Sequence, residues 1–113
     1  MKDFLLIYRM DNTQAQQRTI EEAQAMTKKW MDWIGSIAAQ NKLVDRGNRL
    51  EMSGRVVKPS NVVTNGPYSE IKESLGGYSM VRAEDYDTAI ELAKGCPVLT
   101  VGGNVEVREI SKL

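Results

Sequence analysis

Between Thr19 and Asn41 the apolar residues fall at helical spacing: Ile20, Ala23, Met26/Thr27, Trp30, Ile34 and Ile37/Ala38. A repeat at i, i+3, i+4, i+7 marks one long helix with a single stripe to bury. Thr19 and Glu22 form a capping box at its start, the hydroxyl and the carboxylate each satisfying a backbone donor at the other's position. Asn41 tolerates the left-handed conformation that closes a helix. A helix this long must lay its stripe on a broad apolar surface, and the remaining segments offer mostly strands with which to build one.

Phe4–Arg9 alternates Phe4, Leu6, Tyr8 against Leu5, Ile7, Arg9, and both sets are largely apolar. Such a strand is expected to be covered on both sides. The polar, aperiodic residues 10–18 read as a loop. Leu43–Leu50, Gly54–Lys58, Val62–Val63 and Leu75–Val81 read as further strands, with a turn at Pro59-Ser60-Asn61. Asp85 caps a second helix running to Lys94, with Ala89, Ile90, Leu92 and Ala93 as its apolar residues; Gly95 ends it and Pro97 prevents its continuation. Asn104–Ile110 alternates again, with Val105 and Val107 on one face. The order strand, long helix, several strands, helix, strand predicts an α+β fold, a ferredoxin-like two-layer sandwich with an added β-hairpin. Both helices then cover one face of the sheet, and the other face is left for a second subunit.

At 113 residues the chain is expected to be one domain spanning 1–113. Its 15 basic and 15 acidic residues cancel, which argues against direct nucleic-acid binding. There is no histidine, so no imidazole acid, base or ligand exists, and no Ser-His-Asp triad or Cys-His pair. The single cysteine, Cys96, has no partner for a disulfide and reads as a small buried hydrophobe. No apolar run reaches the roughly 18 residues of a membrane span. These features predict a cytoplasmic protein without metal or cofactor, and without a membrane partner.

The densest cluster of special residues runs from Thr64 to Tyr78. Asn65-Gly66-Pro67 dictates a turn, with Gly66 free to take positive φ. Tyr68, Glu70, Lys72 and Glu73 follow, and then Gly76-Gly77 enters the next strand. The glycine pairs Gly76-Gly77 and Gly102-Gly103 lack phosphate-loop spacing and read as a bulge or close packing. With Lys2-Asp3-Phe4-Leu5-Leu6-Ile7-Tyr8 at the start, and Gly95-Cys96-Pro97 and Gly103-Asn104-Val105-Glu106-Val107-Arg108 at the end, this cluster resembles the YCII-related family in its DGPF-domain branch. The resemblance covers nearly the whole chain. It implies a ferredoxin-like domain that pairs sheet to sheet as a dimeric α/β barrel. Proteins similar to this branch are sometimes labelled transcription initiation proteins, because related domains occur fused to sigma factors. Two departures matter: Asn65 stands where the motif has Asp, and Tyr68 where it has Phe. The His–Asp pair proposed as catalytic in the enzyme-like branch cannot be carried over to a chain without histidine.

The candidate ligand-binding residues are Arg9, Trp33, Tyr68, Glu70, Lys72 and Tyr78. Trp30 and Trp33 would wall a pocket between helix and sheet, into which Tyr8, Tyr68 and Tyr78 point hydroxyls. Arg9, Arg46 and Lys72 would hold a small anionic ligand. Period-2 alternation sets Tyr68, Glu70 and Lys72 on one face and Ile71 on the other, with Trp33 or Arg9 as the opposite wall. Three functions follow. One is a homodimer that binds or senses a small molecule. Another is a non-metal isomerase or lyase acting on a small organic acid, with Glu70 or Glu73 as base. The third is a transcription-associated protein-interaction module.

Overall fold

The computed structural model describes residues 1–11, 19–66 and 73–112. The elements run β1 (Lys2–Asp11), α1 (Ile20–Ala39), β2 (Leu43–Arg49), β3 (Arg55–Lys58), β4 (Val62–Asn65), β5 (Glu73–Ala83), α2 (Tyr86–Ala93) and β6 (Asn104–Glu109). The local signals that define the helices operate as expected. Thr19 and Glu22 make the reciprocal capping box on α1, the Asp85 carboxylate accepts from the Thr88 N–H at the head of α2, and Asn41 closes α1 at φ 58°.

Four strands form one sheet in the order β2-β5-β1-β6, each neighbouring pair antiparallel. With both helices packed against this sheet, the arrangement is ferredoxin-like α+β. β3 and β4 form a separate two-stranded sheet, the hairpin added between β2 and β5. The core lies between helices and sheet: Phe4, Leu6 and Tyr8 from β1, Val81 and Ala83 from β5, Trp33 and Ile37 from α1, Ala89 and Ala93 from α2, then Cys96 and Val98. The two buried residues of α2 are both alanines, and such small side chains allow a helix to approach a sheet closely.

One face of β1 is left for a partner, and one expectation needs correction. β1 is covered on one side only within the chain: Phe4, Leu6 and Tyr8 are buried, whereas Leu5, Ile7 and Arg9 are only half-buried. The slab measures 44 × 43 × 18 Å, the thickness of a single helix layer on a single sheet. The stripe of α1 is also shorter than its periodicity. Ile20 is 78% exposed and Ala23 is exposed, so the first turn contributes nothing to the core. Periodicity identifies the face of a helix, but the length of that face that finds sheet beneath it depends on tertiary placement.

One member of each glycine pair, Gly77 and Gly103, is a close-approach position. The register slips between Tyr8 and Arg9, leaving Gly76 as the extra residue of a bulge. A Cβ on Gly77 would come within 2.9 Å of the Asn48 carbonyl, and one on Gly103 within 2.6 Å of the Arg9 carbonyl. Gly66 is different: its φ is +79°, but among the described residues nothing lies within 4 Å of where a Cβ would sit. Gly66→Ala is therefore expected to cost only the backbone penalty, about 1 kcal/mol, read as a change in urea midpoint. A neutral result would mean that this turn tolerates an alternative backbone.

Candidate functional site

The helix-facing side of the sheet carries an aromatic group built from β1 and α1. Tyr8 points inward because it shares the period-2 face of Phe4 and Leu6. Trp30 and Trp33 descend on it from α1, with ring centroids 4.9 and 5.9 Å from that of Tyr8 and all three rings edge-to-face. Trp33 Nε1 donates to the Leu92 carbonyl at 3.0 Å. Gly95 allows this, since a Cβ there would stand 3.0 Å from the indole. Beneath lies Ser79, whose Oγ donates to the Arg46 carbonyl at 2.6 Å. Burial pushes the Cys96 thiol up to about 12, partly offset by a backbone hydrogen bond from Val98, so it stays a protonated, unreactive thiol. The Tyr8 hydroxyl is buried beside Ser79: the side chain is 6% exposed, its oxygen makes no hydrogen bond of ordinary geometry among the described residues, and the Ser79 oxygen, while donating to Arg46, keeps lone pairs that can accept from it. Burial raises the phenol well above its ordinary range, with the Ser79 hydroxyl opposing, so the group is neutral and able to donate.

Among the described residues, no second layer covers the opposite side of the sheet. Register sets Leu5 beside Met80, Ile7 beside both Tyr78 and Glu106, and Leu5 beside Arg108. Leu5, Ile7 and Met80 are half-buried and form the apolar centre. Around them, Glu106 accepts from Arg9 Nε at 3.1 Å and from Arg108 at 3.0 Å. The two guanidiniums, Arg108 foremost, hold the Glu106 carboxyl below its ordinary range. Asn48 donates to the Tyr78 hydroxyl at 3.1 Å across β2 and β5.

The model of the YCII-related domain matches residues 1–113, the whole chain. The chain belongs to the YCII-related family. No curated protein matches this YCII-related domain significantly.

Within this YCII-related domain the candidate residues separate. Trp33 lies in the aromatic group between α1 and the sheet, whereas Arg9 and Tyr78 lie on the outer face with Leu5 and Ile7. Arg9 and Trp33 therefore stand on opposite sides of one sheet, so only one of the two can face any given pocket. Tyr78 also points away from the tryptophans that Tyr8 meets. Arg46 is exposed on β2 and contributes its carbonyl to Ser79. Tyr68, Glu70, Ile71 and Lys72 lie outside the described residues, as does the Glu73 side chain. Among the described residues, no three acidic or cysteine side chains gather as a metal site, and no helix is long and apolar enough to cross a membrane. The group that stands out structurally, the Tyr8 hydroxyl, carries no distinctive sequence signal; a tyrosine in an apolar strand does not reveal whether its oxygen finds a partner.

Proposed function

We propose that this YCII-related domain works as a homodimer, joined through the outer faces of its two sheets, that binds a small organic anion between them. The observation that carries this reading is the composition of that face. Its centre is Leu5, Ile7 and Met80, and its surroundings are Arg9, Arg82 and Arg108 against Asp3, Asp45 and Glu106. A sheet face with an apolar centre and no second layer is typical of an interface, and two-fold pairing would cover it with its own copy. Pairing would also bring the guanidiniums of both copies into a space screened from water, where a ligand carboxylate competes with Glu106 for them. The turn Asn65-Gly66-Pro67-Tyr68 supports membership of the DGPF branch, whose dimeric barrel is this arrangement, and a cytoplasmic setting agrees with the lone Cys96.

Light scattering is expected to give twice the chain mass at micromolar concentration, with an interface of about 1,600 Å² or more. Ile7→Asp would place a charge at the centre of each face and is expected to yield monomers that keep their helical circular dichroism. Small dicarboxylates such as succinate are expected to raise the melting temperature of the wild type and to lose that effect in Arg9→Ala. A monomeric wild type would refute the assembly. A dimer indifferent to every carboxylate would refute the anion while leaving the assembly intact.

A further inference from the structure

We infer that Tyr78 gives the proposed anion site its selectivity: its phenol O–H donates to a hydroxyl or carbonyl oxygen of a small hydroxy- or oxo-carboxylate, whose carboxylate Arg9 holds. This rests on the anion reading of the outer face and adds the class of anion. Register sets Tyr78 directly beside Ile7, and Arg9 follows Ile7 on the same face of β1. Tyr78 and Arg9 are thus diagonal neighbours, a spacing of about 7–8 Å in regular sheet, and both side chains are long enough to converge on one small molecule. Glu106 engages the guanidiniums only in part. It accepts from Arg9 Nε at 3.1 Å and from one terminal nitrogen of Arg108 at 3.0 Å. A guanidinium carries further N–H donors in a planar fork, which suits a ligand carboxylate.

The Tyr78 oxygen accepts from Asn48 Nδ2 at 3.1 Å, which steadies the phenol and keeps its own O–H for another acceptor. That bond depends on an irregularity in β2. Asp45 pairs with Met80 and Asn48 with Tyr78, so β2 spends one residue more than β5 between these pairs. Regular pairing would set Gly47 opposite Tyr78 and turn Asn48 to the helix side of the sheet. The extra residue, with Gly47 at φ +72°, brings Asn48 to the outer face instead. Another bulge, at Gly76, lies beside Arg9 on β5. Bulges re-aim side chains and concentrate beside binding sites, and these two flank Tyr78 in the sheet. A donor held in this way reads an oxygen, because an anion that lacks one leaves the O–H unpaired once water is excluded.

Titration calorimetry with two matched sets of probes tests this: succinate against the two enantiomers of malate, and glutarate against 2-oxoglutarate. Malate adds a hydroxyl to its parent and 2-oxoglutarate a carbonyl. At least one of the oxygenated probes is expected to bind the wild type about fivefold more tightly than its parent. Tyr78→Phe is expected to bring that probe down to the level of its parent, with the parent itself unchanged. Asn48→Ala, which frees the phenol to turn, is expected to narrow the preference. Arg9→Ala is expected to weaken both members of a set alike and to keep their ratio, since it removes the partner of the carboxylate and not the reader of the second oxygen. The ratio separates recognition from a loss of folding, which would weaken both members together. Equal binding within both sets by the wild type, or a preference that survives Tyr78→Phe, would overturn the inference and leave the anion reading standing. No binding by any of the probes would overturn that reading and the inference with it.

Discussion

Gly47→Ala is expected to destabilise the domain by about 3 kcal/mol or more and to release β2 from the sheet. Two costs combine. Gly47 sits at φ +72°, where a Cβ meets its own backbone. The same Cβ would stand 1.8 Å from the Tyr78 carbonyl oxygen on the neighbouring strand, and backbone cannot swing aside as a side chain can. The reason for the close approach is local. The β2–β5 register slips between Leu43 and Asp45 and again between Asp45 and Asn48, and the Asp45 carboxylate accepts from the Gly47 N–H at 2.7 Å. The irregularity is built in, with Ser79 clasping the Arg46 carbonyl beside it. Gly66→Ala is the internal control, since it shares the positive φ without the clash. Urea denaturation of the two variants should differ by about 2 kcal/mol, and hydrogen exchange should show the β2 amides losing protection in Gly47→Ala. Equal costs would mean that the strands move apart easily at Gly47.

The contrast between these glycines shows how much of the fold is legible in the sequence. Signals whose partners lie within a few residues translate directly. Thr19 and Glu22, Asp85 and Thr88, and Asn41 after α1 need no knowledge of distant chain, and each takes its expected role. Gly66 belongs with them, because Asn65 and Pro67 flank it. Gly47 does not. In Asp45-Arg46-Gly47-Asn48 it reads as a polar interruption of a strand, and only the approach of Tyr78 from another strand makes glycine necessary. The exposed start of α1 has the same origin, for Ile20 follows the helical period but lies where no sheet is beneath it.

The candidate site was legible in the same uneven way. The alternation of β1 already separates Phe4, Leu6 and Tyr8 from Leu5, Ile7 and Arg9, so a helix lying on the first set cannot bring Trp33 to Arg9. Tyr78 needed more than alternation. Its face depends on the register of β5 against β1, where Ile7 meets Tyr78 and the bulge at Gly76 sets the phase beyond. The surroundings of the Tyr8 oxygen were the least legible, because satisfaction is a property of everything that surrounds an atom, and Ser79, the polar group beside it, is distant in sequence.

Phe4→Ala is expected to cost about 3–5 kcal/mol, a large share of the stability of a domain this size. Phe4 is fully buried on β1, the strand flanked by both β5 and β6, so no edge can relax into the space it leaves. Its ring meets Tyr86 of α2 edge-on at a centroid distance of 5.0 Å, and the Tyr86 hydroxyl accepts from the Glu109 N–H on β6 at 2.9 Å. Truncation would thus remove the apolar contact that fixes a residue joining α2 to the sheet edge. Phe4→Leu retains most of the volume and is expected to cost under about 1.5 kcal/mol, so it remains measurable where Phe4→Ala is largely unfolded. A cycle of Phe4→Leu with Tyr86→Leu isolates the aromatic pair, expected to couple by about 0.5–1.5 kcal/mol. If Phe4→Ala cost less than about 1.5 kcal/mol, with no coupling to Tyr86, the core would be collapsing around the vacancy, and α2 would be held to the sheet by Ala89, Ala93 and the Tyr86 hydroxyl without help from Phe4.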